Sequence, residues 1–288
     1  MKLSERAMMV TLSLGSWGAS KTDRDLSREL VETHDADKGS MVAIKRTVDK
    51  KMLKNISNTD QKIRNTFKEL TLPWTDSSRI VPMKSVWNVR ESMYRLFDER
   101  DKHVSDFLSW YETFLASKAS SFHGSASNIA DFPTLEEVKL KFSKSLLFLP
   151  VADSNDFRSD NEDVKKLIEE SSKEVTNTVT KELVSRLLSK VEKLLDVVTN
   201  FNICQVEEVT DKRSAPMREK SINAVKEFIS ELPDLNISNS QEINNLFLDL
   251  KNKFSYSVDI LKSDELARSE VIEDAETVLK RLRSFYGD

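Results

Sequence analysis

Several kinds of chemistry lack their raw material in this chain. Its 288 residues hold one cysteine, three histidines, five glycines and six prolines. The single cysteine, Cys204, excludes a disulfide framework and a cysteine-based metal cage. It sits after Ile203, at the end of a long helical pattern, and reads as a partly buried structural thiol. A cysteine nucleophile would need a histidine beside it. His34, His103 and His123 are far apart and show no metal-ligand spacing. No phosphate-cradling glycine loop, dinucleotide fingerprint or serine elbow occurs. No apolar run approaches the roughly 18–20 residues of a membrane span. Lys2 and Arg6 precede an apolar stretch that echoes a signal peptide, but Thr11 and Ser13 interrupt it and no small-residue cleavage site follows. These absences lead us to expect a cytoplasmic, non-enzymatic protein with no cofactor, no metal and no membrane contact.

What is present is helical material. Hydrophobic residues make up 39% and charged residues 32%, so the chain can bury a core despite its charge. Scarce glycine and proline, with abundant Lys, Glu, Leu and Ser, predict a helix-dominated fold. The net charge of −4 conceals an asymmetry. Residues 1–150 carry 24 Lys and Arg against 20 Asp and Glu; residues 151–288 carry 20 against 28. Two halves with different surfaces follow.

Along the chain, Met8–Leu14 reads as a strand ending at Gly15-Ser16-Trp17-Gly18. A short polar helix spans about Asp23–His34. Met41, Ile44, Val48, Met52, Ile56, Ile63 and Phe67 lie near a 3.6-residue period and predict one long helix ending before Pro73. Pro73–Asp76 is a turn and Arg79–Pro82 an extended segment. A second long helix runs from about Ser85 to Ser117, with Val89, Met93, Phe97, Val104, Phe107 and Tyr111 in its stripe. Ala119–Asn128 reads as a loop, and Thr134 with Glu137 has the form of a capping box. Ser145–Val151 reads as a buried strand whose end, at Pro150, lies near a sheet edge. Beyond a linker at 152–162 the pattern is all helix: one amphipathic stripe from Val164 to Phe201, interrupted at Ser171 and Ser172, then three helices near 214–231, 239–255 and 263–285, separated in part by Pro233. The expectation is α+β, strongly helix-dominated: a sheet of about three strands on long helices over 1–158, then an all-α antiparallel bundle or arm over 159–288.

Two charge clusters stand out. Asp153, Asp156, Asp160, Glu162 and Asp163 surround Phe157-Arg158, but match no calcium-loop spacing and read as solvated turns and caps. The second comprises Lys45, Arg46, Lys50, Lys51, Lys54, Lys62 and Arg64 on the expected helix before Trp74, with Trp17 and Trp87 elsewhere in this half. Such cations with aromatics suit a phosphate backbone and stacked bases; a solvated helix face with tryptophans in the core is the structural alternative.

Three stretches carry a family resemblance: Met8–Asp23, Leu70–Pro82 and Phe148–Arg158. In that order they resemble the bacteriophage and mobile-element family known as domain of unknown function 3150, over about residues 7–170. The turn after Trp74 departs from that pattern in lacking a glycine. The resemblance implies a phage or mobile-element protein whose gene neighbours encode a MoxR-type AAA+ ATPase and a von Willebrand-type metal-adhesion protein, with no established catalytic residues. The leading expectation is therefore a protein acting through protein contacts, as a homo-oligomer or as partner of a co-encoded AAA+ ATPase, in the cytoplasm of a bacterial host. The alternative is a single-stranded DNA-binding protein of phage replication or recombination.

Overall fold

The apolar run Ala7–Leu14 forms strand β1. Arg79–Pro82 (β5) pairs antiparallel with it, Ala7 opposite Pro82 and Val10 opposite Arg79. These assignments come from a computed structural model, which describes residues 3–75, 78–121, 132–152, 162–206, 219–237 and 241–284, without the side chains of 118–121, 202–206, 221 and 242. Leu72–Pro73 (β4) joins the outer side of β5, and Lys144–Pro150 (β6) completes the sheet in the order β4-β5-β1-β6. The three expected strands, β1, β5 and β6, share one sheet with β4. β6 corrects one expectation: it is half exposed rather than buried, with Leu147 and Leu149 on its open face. An edge strand has a neighbour on one side only.

The expected helix over 41–72 is also corrected. Ala43–Arg46 is a strand (β3), paired antiparallel with Ser20–Asp23 (β2), Ser20 opposite Arg46. The β-branched residues Val42, Ile44, Thr47 and Val48 favour that pairing. Asp49 then restarts helical structure, its carboxylate accepting from the Lys51 N–H at 2.9 Å, and a 3₁₀ turn at Lys50–Leu53 leads into helix α2, Lys54–Leu70. Helix α1, Arg24–Thr33, links β2 to β3 and is capped by Asp23. Helix α3 spans Val86–Ser121. Helix α4, Leu135–Lys141, opens with the expected capping box, Thr134 Oγ1 accepting from the Glu137 N–H and Glu137 accepting from the Thr134 N–H.

The chain divides into two compact units, interleaved rather than successive. The junction expected near residue 158 lies outside the described residues. The first unit comprises Met1–Val10, Thr71–Trp87 and Phe148–Asp288. It holds helices α5 (Glu162–Val206), α6 (Glu219–Leu235), α7 (Gln241–Lys253), α8 (Val258–Ser263) and α9 (Glu265–Ser284). Its core gathers Val179, Leu183, Leu187, Val191, Leu194 and Val198 of α5 with Val271, Ala275, Val278 and Leu282 of α9. The two helices run antiparallel, since Arg268 lies over the Phe201 ring at 5.5 Å while Arg283 reaches back to Glu192. Ser171 and Ser172 do not interrupt α5. The neighbouring hydroxyls are absorbed by the helix itself, Thr176 Oγ1 donating to the Ser172 carbonyl. Pro233 lies inside the last turn of α6 rather than between helices, where one lost N–H bond is tolerated. At the resemblance motif, Arg79 donates to Thr71 Oγ1 and to its carbonyl, and Arg186 to the same carbonyl at 3.1 Å. The turn after Trp74 closes through Thr75 Oγ1, which accepts from the Ser78 N–H; residues 76 and 77 lie outside the described set.

The second unit comprises Thr11–Leu70 and Asn88–Leu147. Its core is aromatic: Phe107 stacks on Tyr111 at 5.8 Å and meets Phe142 edge-on at 5.9 Å, and Trp110 stacks on Phe114. The Tyr111 hydroxyl donates to the Pro133 carbonyl at 2.8 Å. Burial, with Glu137 adding to it, pushes the Tyr111 phenol up to about 12. The neutral phenol is thus favoured in the folded state, so its contribution is whole below pH ~10 and fades as pH rises from about 10 towards about 12. Urea midpoints over that range should fall more steeply for the native protein than for Tyr111→Phe.

Candidate functional site

A charged residue sits inside each apolar stripe of α2 and α3. Ile56, Ile63 and Phe67 are buried on α2, and so is Asp60, 2% exposed, in the gap between the first two. Phe97 and Phe107 are buried on α3, and Arg100, 0% exposed, lies between them. Arg100 Nε donates to Asp60 Oδ1 at 2.6 Å, Nη1 to the Phe142 carbonyl at 3.0 Å and Nη2 to the Gly15 carbonyl at 2.5 Å. Ser16 Oγ donates to the second Asp60 oxygen. One guanidinium therefore ties α2, α3, the exit of β1 and the turn before β6. Gly15 is required at this junction: a Cβ would run into Ser143 Oγ and come within 2.7 Å of the Lys141 carbonyl.

Above this network opens a cleft of about 340 Å³. Ser16, Trp17 and Gly18 form one wall; Lys50 and Leu53 of the 3₁₀ turn, then Ile56, Ser57, Asp60 and Arg64 of α2, form the other, with Phe142 beside them. Trp17 is fixed by its neighbours, edge-on to Tyr111 at 5.4 Å and tilted against Phe107 at 6.0 Å. The corner after it is strained. Ala19 holds a φ of +49° while buried, and its carbonyl accepts from the Thr47 N–H at 3.0 Å. Strain of that kind persists only where the surroundings over-determine it.

The expected basic cluster is dispersed among elements rather than ranged on one helix. Lys45 and Arg46 are on β3, Lys50 and Lys51 in the 3₁₀ turn, and Lys54, Lys62 and Arg64 on α2. Lys45 pairs with Asp23 at 2.7 Å, and together with the Leu26 N–H it holds that carboxyl below the usual carboxylate range. Lys62 pairs with Glu99 at 2.8 Å and lowers it likewise. Arg46, Lys50, Lys51, Lys54 and Arg64 are exposed and have no ion-pair partner among the described residues. Of these, Lys50 and Arg64 line the cleft. Trp74 belongs to the first unit and packs against its core, and Trp87, 72% exposed, is in that unit too. Trp17 lines the same cleft as Lys50 and Arg64.

Among the described residues no three His, Cys, Asp or Glu side chains could hold a metal ion, and no helix is long and apolar enough to cross a membrane. His123, Asp153, Asp156, Asp160 and the Cys204 side chain lie outside the described set. Asp60 and Arg100 were missed by an apolar-only reading of the helices. Their signal is a seven-residue step, Ile56 to Ile63 and Phe97 to Val104, with a charge in the skipped turn. No family model, curated protein or solved structure matches this chain. Removing one partner of a buried ion pair leaves the other uncompensated, so Arg100→Met should destabilise the protein by about 3–5 kcal/mol, and adding Asp60→Leu should recover part of the loss but not all of it, because the Gly15 and Phe142 carbonyls still lack their donor, as read by urea denaturation.

Proposed function

We propose that this is a non-enzymatic binding protein that holds single-stranded nucleic acid along the cleft beside Trp17. The carrying observation is the charge balance of that cleft. Lys50 and Arg64 stand in its walls without carboxylate partners among the described residues, and the one carboxylate lining it, Asp60, is already neutralised by Arg100. Lys51 and Lys54, exposed and next in the chain to the lining residues Lys50 and Leu53, add two further cations. A fixed indole and unpaired cations are what a backbone-tracking, base-stacking site requires. The resemblance to a phage and mobile-element family supports a place in replication or recombination within a bacterial host. If four cations engage, raising salt from about 50 to about 200 mM should weaken oligonucleotide binding about fifty-fold in a fluorescence-anisotropy titration. Reversal of Lys50 and Lys51 to Glu should weaken it further and flatten the salt slope. Binding indifferent to both changes overturns the reading.

A second reading, action through protein contacts, is supported by α5. Its first four turns bury no side chain fully, yet Val164, Ile168 and Val175 form a half-covered apolar stripe there. Such a stripe suits another helix, from a second copy or from a co-encoded AAA+ ATPase. Size-exclusion chromatography with light scattering, alone and with that ATPase, should then give a species larger than the monomer; a strict monomer in both runs refutes it.

A further inference from the structure

Lys50 and Arg64 are fourteen residues apart, and the helical path between them is about 21 Å long. They mark the two ends of the segment that lines the cleft. The cleft that joins them also holds a single indole, with apolar Leu53, Ile56 and Phe142 around it. Its volume of about 340 Å³ is at the low end for a small-molecule site and has room for one base with its sugar, not for a row of stacked bases. The indole is already braced by Tyr111 and Phe107, so little ordering is left to be done when a ring settles on it.

We infer that the cleft receives one unpaired base of a strand against Trp17, with backbone phosphates on either side reaching Lys50 and Arg64. The ligand is then a single strand of several nucleotides, and neither a free nucleotide nor a duplex serves. A free nucleotide supplies the base with at most one end of the charge pattern. A duplex supplies the phosphates but keeps its bases stacked inside. An acidic peptide would satisfy the cations and leave the indole and its apolar surround unused. This inference rests on the strand-binding reading above and adds to it a base requirement and a minimum length.

The test is competition against a labelled twelve-nucleotide oligothymidylate, using the full chain. The competitors are thymidine monophosphate, short oligothymidylates of increasing length, an abasic strand of equal length and a duplex. The base-bearing strand should compete about five- to a hundred-and-fiftyfold better than the abasic one, the range that stacking on one aromatic provides. Thymidine monophosphate should compete far more weakly than a strand of several nucleotides. Trp17→Phe should keep the base preference and Trp17→Ala should abolish it. Because Trp17 also packs on the core, Ser57→Trp provides a second route: Ser57 is exposed on α2 and lines the cleft, so a large side chain there fills the base site without disturbing the core. Loss of base preference in Ser57→Trp supports the inference even if Trp17→Ala fails to fold. If the native protein binds no strand in a salt-sensitive way, the broader reading falls. If strands bind but abasic and base-bearing ones compete equally, or thymidine monophosphate competes as well as the longer strands, the broader reading stands and the base site does not.

Discussion

Within the second unit, four segments far apart in sequence meet at one guanidinium. Arg100 has no solvent exposure, and its bonds go to Asp60, the Gly15 carbonyl and the Phe142 carbonyl. Burying two charges costs several kcal/mol each before they attract, so such a pair is weak as a source of net stability. Its effect is on geometry. The planar fork of an arginine accepts few arrangements of its partners, and a slip of α2 or α3 by one turn would leave both charges unmatched in the core. The register of the two helices, and the path of the chain through Gly15 and Ser16, follow from satisfying that fork.

The cleft inherits its shape from the same network. Ser16 is held by Asp60, the next residue is Trp17, and the strained Ala19 corner follows within three positions. An indole with two aromatic neighbours and a backbone fixed on both sides has little freedom left. A ligand ring that packs on it meets a surface already in place. The cations around it are of the opposite kind, long exposed side chains whose charges act at a distance and weaken with salt. The site thus combines a rigid aromatic element with exposed, flexible cations, the pairing on which the proposed strand-binding role rests.

The first unit is built on different physics. Its core is a long seam of Val and Leu from α5 against α6 and α9, with arginines and lysines arranged around it. Arg268 is buried at the start of α9 and donates to the carbonyls of Leu261 and Lys262, closing the end of α8. Arg79 and Arg186 converge on Thr71, where burial and mutual repulsion hold the Arg79 guanidinium below its ordinary value. In this unit the charged groups finish chain ends and corners, and the apolar seam determines how the helices pack.

Much of this architecture was legible in the linear order of residues. The apolar runs of β1 and β5, the capping box before α4 and the apolar steps of α3 and α5 each depend on neighbours within a few positions, and local pattern reports local structure. The stretch from Met41 to Leu53 was misread for the same reason. Its apolar residues fit a helical period, but the pairing of β3 with β2, 20 to 26 residues earlier, outweighed that preference. Strand pairing is a non-local bond, and periodicity within one segment carries no information about it. The candidate site divides along the same line. Lys50 and Arg64 were visible only as two of seven cations in a basic segment. That Trp17 shares a cleft with them, and that Asp60 and Arg100 pair beside it, was decided only by the tertiary structure, because each depends on which distant groups the fold makes adjacent in a medium where an unpaired charge is costly.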